Sequence, residues 1–404
     1  MQRVTPEEVG LCSKRLARIG PWMRGWVDSG RLPGMVTLVA RHGRVAYLDS
    51  YGLRDVAAGL PMGKDTLFRI YSMTKPLTSV AIMMLYEEGH FQLDDPIARY
   101  LPMFTDMRVF SGGDVGRYDT VAANGPITFH HLLTHTAGLT YGFLEATPVD
   151  ALYRREGVDF QSAERPLLEM MAPLAALPLL CQPGTQWNYS VATDVLGALV
   201  EVIAGQDFGS FMRERILLPL AMHDTDFYVA EHNHPRLAAN YTRSREGGLK
   251  QIDAARESRY LQPRALLSGG GGLVSSVADY FRFCSLMQNR GELDGVRLLG
   301  RKTVEFMTRN HLRGDMADMG QPRFSESSYS GIGFGLGFSV MIDPAKAEII
   351  GSPGEYAWGG AASTAFWVDP QEDMAVILLT QLLPSSTYPL RRQLRVLSYQ
   401  AIVD

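Results

Sequence analysis

Lysine is scarce in this chain of 404 residues, with 6 lysines against 33 arginines, and no run of basic residues makes up for it. With a formal net charge of −4 as well, the chain offers no positive stripe to track a phosphate backbone, so no nucleic-acid partner is expected. Cysteine is scarcer still. Cys12, Cys181 and Cys284 are odd in number and far apart, which excludes a disulfide framework or a paired-cysteine metal site and leaves buried free thiols. Long apolar runs are also missing. The longest, Met170 to Cys181, is interrupted by Pro173 and Pro178 and falls short of the ~20 residues that cross a bilayer, so no membrane partner is expected. The N-terminus, MQRVTPEEVGLCSKRLARIG, carries charges throughout and no secretory apolar core, and the chain reads as cytoplasmic. Nor is there a G-x-S-x-G elbow, which removes the α/β-hydrolase route to acyl chemistry.

What is present is an ordinary globular composition, 46% hydrophobic and 20% charged, in a chain long enough for two lobes or one large domain with an insertion. Apolar spacing from Pro6 to Asp28 predicts a helix, followed by a hairpin of Met35–Arg41 and Val45–Tyr51 turning at His42-Gly43. The far end carries the same vocabulary in reverse: strand Ala362–Val368, a polar turn, strand Met374–Thr380 and a helix Tyr388–Ile402. Between them, helices are predicted at Leu77–Glu88, His130–His135, Ala192–Ala204 and Phe208–Leu217. The expected fold class is therefore α+β: an antiparallel sheet formed by both chain ends (1–71 and 264–404), flanked by helices, with a mainly helical lobe inserted over 72–263. Gly269 to Gly272 reads as a tight turn or a point of close backbone approach.

The stretch YSMTKP, Tyr71 to Pro76, places Lys75 three residues after Ser72. With 25 serines and 6 lysines, such a spacing arises by chance in roughly one chain in three, so the pair alone is weak. Two features strengthen it. Lysine stands where arginine is the habit, and only lysine can release its proton to act as a base. Residues three apart on a helix also share a face, within reach of amine to hydroxyl. Pro76, lacking an N–H, is at home only in a first turn, which puts Ser72 at or just before a helix start with its own N–H unused. The alternative is a plain helix N-terminus with a solvated lysine. Tyr189, in a turn before ATDVLGALVEVIAG, is a candidate general base, although its residues alone favour a buried phenol with a hydrogen-bonded hydroxyl. Asp194, five residues on, reads as a residue that only solvates or caps the following helix. His131 and His135 are spaced i, i+4, but no H-E-x-x-H pattern or third acidic ligand accompanies them, so no metal is expected.

Four stretches in order, RHGRVAYLDSYG, DTLFRIYSMTKPLTSVAIMMLYEEGHFQLDDPIARYLP, ITFHHLLTHTAGL with PGTQWNYSVATDVLGALVE, and SGGGGLVSSVADYFRF leading to WGGAASTAFWVDP, carry a family resemblance. The chain resembles the serine hydrolases of the class C β-lactamase and DD-peptidase superfamily, most closely the family VIII bacterial carboxylesterases. The resemblance implies Ser72 as acylated nucleophile, Lys75 as its activating lysine, Tyr189 as the second-motif tyrosine, and the N–H groups of Ser72 and Ala361 as oxyanion hole. It implies no cofactor. Trp358-Gly359-Gly360 falls where penicillin-recognising members carry a cation, whose loss weakens anionic substrates by about 1.5–3 kcal/mol. Val191 replaces the second-motif asparagine and is expected as an apolar pocket wall, with Tyr141, Phe143 and Trp358 lining the acyl or alcohol site. The implied substrate is an uncharged, short-chain small-molecule ester. Acyl transfer to an alcohol, residual β-lactamase or DD-peptidase activity, and a non-catalytic binding protein on the same fold are the alternatives.

Overall fold

The computed structural model describes residues 1–160, 164–320, 323–324 and 327–404. At its centre is the hairpin expected around His42-Gly43. Both turn residues take the left-handed backbone (φ 52° and 68°), which a two-residue turn needs to match strand twist and which Gly43 adopts without a Cβ penalty. The turn joins β1 (Gly34–Arg41) to β2 (Arg44–Asp55), with a bulge between Val39 and Ala40. A short β3 (Leu60–Pro61) follows on the outer edge. The C-terminal part supplies β4 (Ile332–Phe334), β5 (Ser339–Met341), β6 (Tyr356–Gly359), β7 (Ala365–Asp369) and β8 (Met374–Thr380). The order across the sheet is β4-β5-β6-β7-β8-β1-β2-β3, with every neighbouring pair antiparallel. The two chain ends meet at β1 and β8, in register from Met35 opposite Thr380 to Arg41 opposite Met374.

Every residue of β1 and β8 is buried because both faces of the sheet are covered. Strand side chains alternate between faces. Val36, Leu38 and Ala40 of β1 and Ala375, Ile377 and Leu379 of β8 therefore enter one core, while Met35, Val39, Met374, Val376 and Leu378 enter a second. The helices that matter below are α1 (Ile19–Asp28), α2 (Thr74–Glu87), α3 (Phe129–Leu133), α4 (Ala192–Ala204), α5 (Val277–Gln288) and α6 (Leu390–Tyr399). The second core is closed by α1 and α6, which are tied together where Gln393 Oε1 accepts the indole N–H groups of Trp22 (2.7 Å) and Trp26 (3.1 Å). The first core holds α2, α4 and α5, with Tyr280 of α5 packed 5.0 Å from Phe366 of β7.

Several expected elements differ. The helix expected over Pro6–Asp28 is three pieces, because Gly10 (φ 69°) ends a 3₁₀ turn at Pro6–Val9 and a second short turn, Ser13–Leu16, precedes α1. The stretch Phe208–Leu217 is one α-turn followed by a π-turn from Arg213. The middle of the chain also carries strands. Arg108–Gly113 pairs with Tyr118–Ala122, and Asn240–Arg243 pairs with Leu249–Asp253 and, in parallel, with Leu382–Leu383. These are short, bulged and half polar, so they lack the alternation that reveals a strand in sequence. Cys12 is only partly buried, whereas Cys181 and Cys284 are buried, and all three are free thiols. Among the described residues no single helix is long and apolar enough to cross a membrane; Ala192–Ala204 and Phe208–Leu217 are apolar together but meet at 86°.

Behind the sheet lies a buried ionic group. The Arg395 guanidinium is ion-paired to Glu355 and stacks 4.5 Å from the Trp367 ring, and the Tyr399 hydroxyl lies 2.6 Å from Glu355 and 2.7 Å from Asp369. Burial raises the Glu355 pKa, and Arg395 opposes the rise. Arg395→Met, which keeps the stem but removes the charge, is expected to cost about 3–5 kcal/mol by stranding a buried carboxylate. A carboxyl whose folded pKa is raised destabilises the fold as pH rises through that pKa. Urea titrations should therefore give a larger loss at pH 8 than at pH 5.

Candidate active site

Ser72 is the second residue of a 3₁₀ turn, Tyr71–Met73, that runs directly into α2. Pro76 is the third residue of α2, in the first turn where its missing N–H is harmless. The first hydrogen bond of the turn runs from Met73 N–H to Ile70 O, so the Ser72 N–H precedes the ladder. Tyr71 is in the left-handed region (φ 45°), an uncommon conformation for a residue with a Cβ. It is held there from outside: Asn240 Nδ2 donates to the Tyr71 hydroxyl (2.8 Å), and Tyr280 of α5 donates to Met73 O (2.9 Å).

Two groups converge on Ser72 Oγ. The Tyr189 hydroxyl donates to it at 2.6 Å, and the Lys75 amine lies at 3.4 Å. Lys75 is buried (2% exposed) and donates also to the Gly270 carbonyl (2.7 Å) and the Tyr141 hydroxyl (2.9 Å). Its ammonium lies 4.7 Å from the Tyr189 ring and 5.2 Å from the Tyr141 ring, close enough for cation–π attraction. Burial, reinforced by the negative charge of Asp194, pushes the Tyr141 phenol well above its usual range and keeps it protonated.

The serine opens into a cavity of about 520 Å³ lined by Tyr141, Phe143, Leu144, Tyr189, Tyr329, Ile332, Ile349 and Trp358, and by Gly359, Gly360 and Ala361 at the end of β6. All the expected pocket residues are therefore brought together except one. Val191 is buried in the core beside α4, not in the cavity wall, because it immediately precedes the helix and its N–H is taken by Thr140 O. Trp358 packs on Tyr189 (5.6 Å between rings) and edge-on to Phe334 (5.3 Å). Phe143, half exposed, stacks 4.7 Å from Tyr141 at the cavity. The Ala361 N–H has no acceptor among the described residues.

Three parts of this neighbourhood differ from what the sequence leads one to expect. Tyr141 is bound to Lys75 and is more than a wall. Cations also line the cavity, supplied by Arg391, Arg392 and Arg395 of α6 rather than by the third motif. Arg391 Nη2 donates to the carbonyls of Gly360 and Thr364 (both 3.1 Å), and a Cβ at Gly359 would fall 2.5 Å from that nitrogen. The third is Asp194, which is wholly buried and bonded to another loop, not capping its own helix. The histidines are occupied elsewhere: burial keeps His135 neutral, with Nδ1 3.1 Å from Ser190 Oγ, and His131 Nδ1 accepts the Thr128 N–H (3.3 Å). Among the described residues no group of three or more His, Cys, Asp or Glu could hold a metal ion.

Sheet order, covering helices and a serine at the start of a buried helix define a class: the beta-lactamase/transpeptidase-like fold. The beta-lactamase family profile matches residues 21–400, and the chain belongs to that family, within its serine hydrolase superfamily. Esterase EstB from Burkholderia gladioli is 35% identical over 366 residues, covering 87% of this chain and 86% of its own. The solved structure of EstCE1, described as a hydrolase with promiscuous acyltransferase activity, aligns with a TM-score of 0.81 at 29% identity over 96% of this chain and 99% of that one. A variant of simvastatin synthase from Aspergillus terreus aligns at 0.79 and 27% identity, over 97% and 95%.

Proposed function

We propose that this protein is a serine carboxylesterase that hydrolyses short-chain carboxylic esters through an acyl-enzyme on Ser72. The observation that carries the reading is the convergence of Tyr189 and Lys75 on one hydroxyl beside a largely apolar cavity. A serine hydroxyl needs a base to become a nucleophile. With one proton removed from the Tyr189–Lys75 pair, the Tyr189 oxygen becomes the acceptor in the 2.6 Å contact and takes the Ser72 proton as Oγ bonds to the ester carbonyl carbon. The N–H groups of Ser72 and Ala361 receive the oxyanion. Collapse breaks the bond to the alcohol, which leaves with the proton returned by the pair. Water then repeats the two steps on the acyl-enzyme, releasing the acid and restoring Ser72. Every proton taken up is given back, so the cycle needs no cofactor.

Esterase EstB supports hydrolysis, and the acyltransferase activity in the description of EstCE1 favours a second reading in which an alcohol replaces water. Turnover of p-nitrophenyl butyrate, of a chromogenic cephalosporin, and of a butyryl thioester with a competing alcohol separates them. Ester hydrolysis should exceed both cephalosporin cleavage and transfer. Dominant transfer would replace the esterase reading with the second one, and a cephalosporin preference would mean that Trp358 does not exclude anionic substrates.

A further inference from the structure

Asp194 is the third residue of α4, in the sequence ATDVLGALVEVIA, and is fully buried. No salt bridge reaches it among the described residues. Oδ1 accepts the Ser268 hydroxyl (2.6 Å) and the Gly270 N–H (3.0 Å), and Oδ2 has no hydrogen-bond partner among the described residues. The first turn of a helix favours negative charge, but burying a half-satisfied carboxylate is still costly, and a buried position that served only stability would be better filled by an apolar residue. Its partners explain its retention. Gly270 donates its N–H to Asp194 and presents its carbonyl to Lys75, so one residue links the carboxylate to the amine beside Ser72. The approach is close enough that a Cβ at Gly270 would fall 2.5 Å from Asp194 Oδ2 and 2.9 Å from the Tyr141 hydroxyl. The preceding Gly269 is wedged in the same way: its carbonyl accepts the Thr78 hydroxyl of α2 (2.8 Å), and a Cβ there would fall 2.6 Å from Thr193 O of α4.

We propose that Asp194 is the positioning residue of the Ser72 centre: as a carboxylate it clamps Gly270 so that the Gly270 carbonyl holds the Lys75 amine in place, and activity falls when the carboxyl takes up a proton. The inference rests on the serine-esterase reading above. The charged and titratable groups that face Asp194 are Lys75 from α2, Tyr141 from the loop after α3, and Asp159 from the segment before α4. Burial pushes the Asp194 carboxyl up to about 6, against the pull of the Lys75 charge and of the bonds from Ser268 and Gly270. Above that pH the carboxylate grips the loop. Below it Asp194 is neutral, the Gly270 N–H loses a charged acceptor, and Lys75 loses its nearby counter-charge.

The test is the pH profile of kcat/KM for p-nitrophenyl butyrate, with labelling of Ser72 by a fluorophosphonate followed in parallel. Wild type should show an acid limb near pH 6 in both. Asp194→Asn should lack that limb and run roughly 10²-fold lower at pH 8, with KM little changed, as expected for a misplaced catalytic group. Ser268→Ala removes a hydrogen bond that favours the charged carboxylate, so its limb should move to higher pH than in wild type, a shift that simple loosening of the fold does not produce. If Asp194→Asn does not fold, Ser268→Ala decides alone. A limb that persists in Asp194→Asn, or that is unmoved or lowered in Ser268→Ala, overturns the role of Asp194. Loss of the serine-esterase reading is recognised separately, by undiminished ester turnover in Ser72→Ala.

Discussion

Ser72→Ala is expected to lower kcat/KM for p-nitrophenyl butyrate on the order of 10⁴-fold or more, because it removes the atom that forms the covalent bond and not merely a contact to it. The fold should survive. The Ser72 side chain lies at the cavity, and the turn that carries it is held through backbone and neighbouring groups, the Met73 carbonyl by Tyr280 and Tyr71 by Asn240. Thermal melts of wild type and variant should therefore coincide to within a few degrees while activity separates them by orders of magnitude. Mass spectrometry supplies the second readout: a quenched reaction should show one butyryl adduct on wild type and none on the alanine variant. A variant that keeps its activity would mean that acyl chemistry, if present, runs through a different residue.

How much of this was legible in the sequence depends on how local the signal is. The His42-Gly43 turn, the strand Met374–Thr380 and the helix Ala192–Ala204 could be read because their evidence, turn chemistry or apolar run, lies within a few residues of the element itself. Ser72 and Lys75 were legible for the same reason, three residues apart with a proline marking the helix start. What could not be read was relation at a distance. Tyr141 and Gly270 are 66 and 195 residues from the lysine they hold, and nothing in their own neighbourhoods points to it. Asp194 did leave a trace, as a lone carboxylate near the start of an apolar helix, and the four glycines from Gly269 left another. Each has a common local explanation, a cap or a turn, and only the folded chain sets one against the other. Val191 failed in the opposite direction. A motif position suggested a pocket wall, but the backbone entering α4 turns that side chain into the core.

The two phenols beside Lys75 give the second large prediction. Tyr189 and Tyr141 both lie within cation–π distance of the amine, and both hydroxyls are in the same polar cluster, yet only Tyr189 reaches Ser72 Oγ. If the proton leaves Ser72 through the 2.6 Å contact, Tyr189→Phe should lower kcat by roughly 10²- to 10⁴-fold, the usual worth of a general acid–base group. Tyr141→Phe removes one acceptor from Lys75 and leaves the Gly270 carbonyl and Ser72 Oγ in place, so its loss should be smaller by at least about tenfold. Both substitutions keep the ring and its packing: Tyr189 remains stacked on Trp187 and Tyr141 on Phe143. The comparison therefore isolates two hydroxyl groups. The split between kcat and KM sharpens it, since loss of a proton relay lowers kcat with little change in KM, whereas loss of a pocket contact raises KM. If Tyr141→Phe is the more damaging of the two, the proton path runs through Lys75 and its Tyr141 contact, and the short bond from Tyr189 only orients the serine.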